Sequence, residues 1–337
     1  MGKRLLNVMS IRILVAGLLC LCPALGALAD ALSEVSEPLY VKNLSPVAAL
    51  FGLPSQRSAS TAEPGELGVS LHASVASHFV SDSNRRELIN LDGETRRLAL
   101  ELRYGISENW DIQLELPWLD HSGGDLDKLI DDWHDLWGMA DGGRSDAPRD
   151  VLAYRYARAE GDLALAEDSS GTGDVSISVS HAFYRTESAA ASAVLGYKFG
   201  TGEIDDFTGS GADDMYLALR MSGDHLSGLP LTWHGQAGYL RAGKADVIGR
   251  FQQRDMWFAG ISMDWRFAER WSAIVQLDSH AAPLSSELTA VGDEAFLLSV
   301  GARWRFARRW LVDLSVVEDI GVETAPDVAF QASIRWL

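Results

Sequence analysis

The chain has 337 residues, of which 47 are acidic and 29 basic, for a net charge of −18 at neutral pH. This acidic balance excludes a nucleic-acid binder, which needs a basic face to neutralise phosphates. The only two cysteines, Cys20 and Cys22, lie near the N-terminus, so the body of the chain is not a disulfide-stapled secreted fold.

Residues 1–29 read as a signal peptide. Lys3, Arg4 and Arg12 form a positive region, Ile13 to Leu21 an apolar core, and Pro23 interrupts it. Ala27-Leu28-Ala29 supplies small residues at −3 and −1, which predicts cleavage after Ala29. An uncleaved anchor is the rival reading, but the apolar run is short for a span. Cys20 and Cys22 each follow leucine, which does not suit lipidation. Beyond residue 29 no apolar run approaches the length of a spanning helix. Residues 30–64 read as an N-terminal periplasmic segment. Its apolar, turn-rich stretch from Pro38 to Gln56, with Leu50, Phe51 and Leu53, would be needlessly exposed unless it tucks into a barrel mouth as a short plug.

Residues 65–337 carry a period-two pattern, the mark of strands with one apolar and one polar face. Leu67, Val69, Leu71, Ala73 and Val75 oppose Glu66, Ser70, His72 and Ser74. Leu98, Leu100, Leu102 and Tyr104 oppose Arg97, Glu101 and Arg103, and Trp110 to Trp118 follows after a short turn. Nine further segments behave alike, centred on residues 179, 196, 218, 235, 262, 274, 301, 313 and 332. The pattern predicts an all-β fold, a transmembrane antiparallel barrel of about twelve strands, an even number as in bacterial barrels. Connections after even-numbered strands are short. Those after odd-numbered strands are longer, the longest running from Leu119 to Thr172, as expected for periplasmic turns and extracellular loops. Trp110, Trp271 and Trp310 open strands beside the short turns, where aromatic rings sit at the lipid–water interface.

Within the longest loop, Leu126, Leu129, Ile130, Trp133, Leu136 and Trp137 recur at helical spacing, which predicts one short amphipathic helix at the extracellular mouth. On the strands, the polar face points inward. It places Glu66, Glu101, Asp111, Glu115 and Asp264 in the lumen, with Arg97, Arg103, Arg220, Arg266, Arg303 and Arg305 as their basic partners. Asp174, Asp214, Asp278, Asp313, Asp327, Lys198 and Arg335 share that face. Two readings stand: an ion-pair network that fills a narrow lumen, or a polar channel.

No nucleotide, phosphate-loop or zinc signature occurs, so no cofactor and no catalytic or metal-binding residue is expected. His72 with Ser74 would suit a lipid hydrolase only if they met the lipid, and their parity faces the lumen. His134 among Asp131, Asp132 and Asp135 reads as a solvated helix surface. Asp205, Asp206, Asp213 and Asp214 around Gly209-Ser210-Gly211 read as a solvated turn.

The pattern Pro38-Leu39, Asn43-Leu44-Ser45-Pro46 and Phe51-Gly52-Leu53-Pro54, with Trp133-His134-Asp135-Leu136-Trp137-Gly138 and Gly142-Gly143-Arg144, resembles a proteobacterial family of unknown function. Its members are described as outer-membrane or exported proteins, and the resemblance covers nearly all of the chain after the leader. It implies a Gram-negative outer-membrane β-barrel and supplies no catalytic residues. A porin-like passive pore or small-solute channel is therefore expected. A closed barrel serving envelope integrity is the alternative, and a lipid hydrolase comes third. The expected partners are outer-membrane lipid and lipopolysaccharide, the barrel-assembly machinery and a small-molecule solute. One departure is that Trp336 is penultimate and Leu337 last, which shifts the usual C-terminal aromatic by one position.

Overall fold

The computed structural model describes residues 36–124, 150–159, 161–245, 251–320, 324–326 and 328–337. The helix expected over Leu126–Trp137 lies outside them.

Twelve strands form a closed wall: β1 (Leu67–Ser83), β2 (Glu87–Ser107), β3 (Trp110–Ser122), β7 (Ser176–Arg185), β8 (Ala189–Lys198), β9 (Asp214–Gly223), β10 (Leu231–Arg241), β11 (Asp255–Ala268), β12 (Trp271–His280), β13 (Ala295–Ala307), β14 (Trp310–Asp319) and β15 (Val328–Trp336). Each pairs antiparallel with its neighbours, and β15 closes on β1 from Val69 opposite Trp336 to Ser77 opposite Val328. Closure leaves every wall strand with two partners, which lets backbone amides lie at membrane depth without unpaired groups. All twelve wall strands coincide with the period-two segments.

The alternation decides which side faces lipid. On β9, Met215, Leu217, Leu219 and Met221 are exposed, whereas Asp214, Tyr216, Ala218, Arg220 and Ser222 are buried. A soluble sheet would reverse that assignment. Trp110, Trp271, Trp304 and Trp310 stand exposed near the short-turn end, and Trp118 and Trp257 near the other. Leu219 lies mid-strand and is 58% exposed. Leu219→Arg is expected to lower the stability of the inserted barrel by about 2–4 kcal/mol, the cost of a cation near the bilayer midplane. Denaturant titration of the protein in vesicles measures this, and a loss within experimental scatter would place β9 the other way round.

Two features depart from the sequence reading. The first connection is only Asn84 to Arg86, because β1 and β2 run on as one long hairpin beyond the level where β3 ends. The longest connection also contains strands. β4 (Ala153–Arg158) pairs with the upper edge of β2 that β3 leaves free, β5 (Gly161–Leu165) pairs with β4, and β6 (Ser169–Thr172) pairs with the end of β3. Tyr154, Tyr156, Leu163 and Leu165 of the β4–β5 hairpin are buried, while Arg155 and Asp162 bond to each other on its exposed side. That bond from Arg155 holds the Asp162 carboxyl below its ordinary range. A four-residue helix, α1 (Thr289–Gly292), lies in the β12–β13 connection.

Candidate functional site

Residues 36–62 do not join the wall by strand pairing; they run inside it. Ser36 bonds to Asp264, and the carbonyls of Glu37 and Pro38 accept from Arg303 and Arg335, all near the short-turn end. The segment then climbs. The Tyr40 ring stacks on His72 with centroids 3.8 Å apart, Lys42 stands 3.5 Å from Glu115, and the Asn43 side chain reaches His280 near the loop end. It turns over at a 3-10 turn, Ala48–Leu50, where Lys198 donates to the Leu50 carbonyl and the Gly52 amide donates to Asp214.

The return limb descends by Gln56 to Asp278, Arg57 to Glu101, Ser58 beside Ser222, and Thr61 donating to the Glu108 carbonyl in the β2–β3 turn. The limbs tie to each other where Lys42 donates to the Leu53 carbonyl and the Ser58 amide donates to Glu37. Two wall glycines admit this close approach. A Cβ on Gly260 would meet Gln56 Nε2 at 2.3 Å, and one on Gly105 would meet the Glu63 carbonyl oxygen at 2.0 Å.

The lumen divides into two halves. Near the short turns it is charged. Arg103 bridges Asp111 and Glu37 at 2.6 and 2.7 Å, and Asp313 accepts from both Arg303 and Arg335. Arg303 also reaches Asp264 at 3.0 Å, and Arg97 pairs with Glu115 at 2.6 Å while donating to the Tyr40 hydroxyl. Toward the loops many inward positions turn apolar, beside a buried ion triad in which Lys198 meets Asp174 at 2.5 Å and Asp214 at 3.2 Å. Val47, Leu50 and Phe51 of the segment lie in one buried cluster with Ile89, Leu91, Tyr216, Leu240, Met256 and Phe258 of the wall. Phe207, Leu284, Leu288 and Val291 from inward-folded loops complete it, together with the β4–β5 tyrosines. The apolar apex therefore sits where water would otherwise meet an apolar ring, and the charged limbs sit among charges of the opposite sign. A lumenal cavity of about 80 Å³ lies between Lys42, Phe51, Lys198 and His280.

Comparison with known proteins adds a family and a fold. The family described as "Protein of unknown function (DUF3187)" matches residues 12–336. The chain belongs to that family. None of the curated proteins compared with it matches. Among solved structures, an outer-membrane channel from Pseudomonas putida F1 is similar at 12% identity, with a TM-score of 0.54 over 82% of this chain and 96% of that one. A NanC porin structure aligns at 8% identity and a TM-score of 0.46, over 81% of this chain and 100% of its own length. The first likeness shows the outer-membrane barrel fold. At such identity the likeness extends to the fold alone.

In this DUF3187 member, Arg97, Glu101, Arg103, Asp111, Glu115, Arg220, Asp264 and Arg303 lie buried in the lumen, and Arg266 and Arg305 lie by the short-turn rim. Glu66 is not among the lumen pairs. It is half-exposed at that rim and bonds to Arg309 at 2.6 Å, because β1 begins only at Leu67. The family member's own Glu37, Lys42 and Arg57 belong to the network, which the strand pattern alone does not announce. Glu37 and Lys42 flank the apolar run Pro38–Val41, which was the available signal for those two. His72 bonds to Ser333 at 2.7 Å and is covered by Tyr40, away from lipid, an arrangement that gives a hydrolase no support. Among the described residues no cluster of metal-binding side chains occurs.

Proposed function

We propose that this protein is a gated outer-membrane channel for a small solute, closed by its own N-terminal segment. Export by a leader cleaved after Ala29 and insertion by the barrel-assembly machinery, among lipid and lipopolysaccharide, belong to the same reading. The observation that carries it is how the lumen is filled. Eight-stranded barrels fill their interior with wall side chains, and sixteen-stranded ones leave water. Twelve strands enclose a space between these limits, and here a separate segment occupies it. That segment is joined to the wall by chain at one place, the turn at Gly65 into β1, where the Gly65 amide donates to the Gly105 carbonyl. Its other contacts are hydrogen bonds, ion pairs and side-chain packing, which can be exchanged for water or solute without breaking a strand pair. A barrel meant only to be solid has no need of a removable core.

A redox tether tests the gate. A Cβ placed on Gly52 stands 3.0 Å from the Lys198 Cβ, slightly inside the usual disulfide range of about 3.5–4.5 Å. The doubly substituted Gly52→Cys/Lys198→Cys protein should be silent in a planar bilayer when oxidised and show discrete conductance steps when reduced. Both states lack the lysine, so the difference reports the tether alone. Equal conductance in the two states would remove the segment as the gate. Silence in both, from protein whose gel mobility still shifts on boiling, would favour the closed structural barrel.

A further inference from the structure

One lumenal cation lacks an anionic partner. Arg220 on β9 is 3% exposed, and among the described residues its guanidinium donates only to Gln236, through Nε at 2.8 Å. The other buried cations nearby are matched: Arg97 and Lys42 share Glu115, Arg57 pairs with Glu101, and Arg103 with Asp111 and Glu37. Arg220 faces a cavity of about 20 Å³ between β3, β7 and β9 of the wall and the returning limb of the segment. Three cations line that cavity, Lys42, Arg57 and Arg220, against the single carboxylate of Glu115, already engaged. The remaining polar side chains are the Gln113 carboxamide, whose Nε2 donates to Glu101, and serine and tyrosine hydroxyls. Ser178 and Tyr216 come from the wall, and Ser55, whose Oγ has no partner among the described residues, comes from the segment. Arg57 Nε, also buried, is likewise unpartnered.

A buried guanidinium with no carboxylate in contact is costly, since the more distant Glu37 and Asp111, both engaged by Arg103, repay only part of its desolvation. Water in the cavity would satisfy hydrogen bonds but not the excess charge. We propose that this cavity is a binding site for one halide-sized monovalent anion, held by Arg220 from the wall and by Arg57 and Ser55 from the N-terminal segment. The volume exceeds the roughly 10–15 Å³ that a single water needs, and a larger organic anion would not fit without moving the segment. The ion bridges wall and segment, so it contributes to holding the lumen filled. This assignment rests on lumen packing alone and does not depend on whether the barrel conducts.

The test is anomalous diffraction from crystals of the intact chain grown with bromide in place of chloride. The expected result is a bromine peak within hydrogen-bonding distance of the Arg220 guanidinium and of Arg57 Nε or Ser55 Oγ. The peak should be lost in Arg220→Gln crystals under the same bromide. Featureless density there in the intact chain overturns the proposal, as does a peak that survives in Arg220→Gln. Should Arg220→Gln fail to fold, Arg57→Gln supplies the comparison, with the peak expected to weaken because one of its two cations is gone.

Discussion

Removing residues 37–60 is expected to leave a folded barrel whose single-channel conductance exceeds that of the intact chain by about tenfold or more. A twelve-stranded wall is too wide for its own side chains to fill. The wall pairings run from strand to strand and none passes through the deleted segment, so closure of β1 on β15 survives. Among the described residues, only the bridge between Pro64 and Gly105 ties the N-terminal region to the wall by strand-type backbone pairing, and both residues remain. Loss of Glu37, Tyr40 and Arg57 leaves Arg103 with Asp111 and Arg97 with Glu115, while Glu101 becomes hydrated. These groups then line water rather than a packed interior, which lowers the cost of their altered pairing. The barrel should still shift in mobility on boiling. A deletion variant that passes this test yet conducts no better than the intact chain would mean that inward-folded loops around Phe207, Leu284 and Val291 close the lumen by themselves.

The wall was legible because its chemistry repeats every two residues over ten or more positions, and lipid on one side admits few exceptions, such as Arg96 beside Trp118. Met215, Leu217 and Leu219 against Tyr216, Ala218 and Arg220 show it at one strand, and the short-turn aromatics show it at the rim. The lumen was less legible for a physical reason. An inward residue meets whatever fills the barrel, not a uniform solvent, so its polarity follows that filling. Asp214, Tyr216, Ala218, Arg220 and Ser222 share one face yet face different partners: the Gly52 amide, the apolar apex, the cation-lined cavity and Ser58. The switch from charged to apolar inward positions along β2, from Arg103, Glu101 and Arg97 to Leu91 and Ile89, was present in the sequence. Its meaning depends on Val47, Leu50 and Phe51 arriving from more than thirty residues upstream. The β4–β5 hairpin was hidden for the opposite reason. Tyr154, Tyr156, Leu163 and Leu165 alternate as a strand should, but they cover the mouth and not a lipid face, within a stretch read as loop.

Asp313→Ala is expected to destabilise the barrel by about 3–5 kcal/mol, the usual loss when one member of a buried ion network is removed. Asp313 is 2% exposed and accepts from Arg303 Nε at 2.7 Å and from Arg335 Nε at 3.0 Å. Arg303 keeps Asp264 after the substitution, but Arg335, itself 1% exposed, keeps only the Pro38 carbonyl. The cost comes from that stranded guanidinium more than from the lost attraction. Replacing both partners, as Asp313→Leu with Arg335→Met, should therefore recover most of the stability, because the desolvation penalty disappears together with the pair. Urea titration of the three proteins in one lipid separates these contributions, with the midpoint of the double variant close to that of the unsubstituted barrel. The Pro38 carbonyl gives the double variant a second consequence. It loses its Arg335 donor, so the base of the N-terminal segment is held by Arg303 on the Glu37 carbonyl and by Arg103 on the Glu37 carboxylate. A barrel as stable as the parent, but with a higher open fraction in the bilayer, is the outcome that distinguishes a gate latch from a wall staple. If Asp313→Ala costs under about 1 kcal/mol, in the range of solvent-screened surface pairs, the lower lumen is wetter than its packing implies.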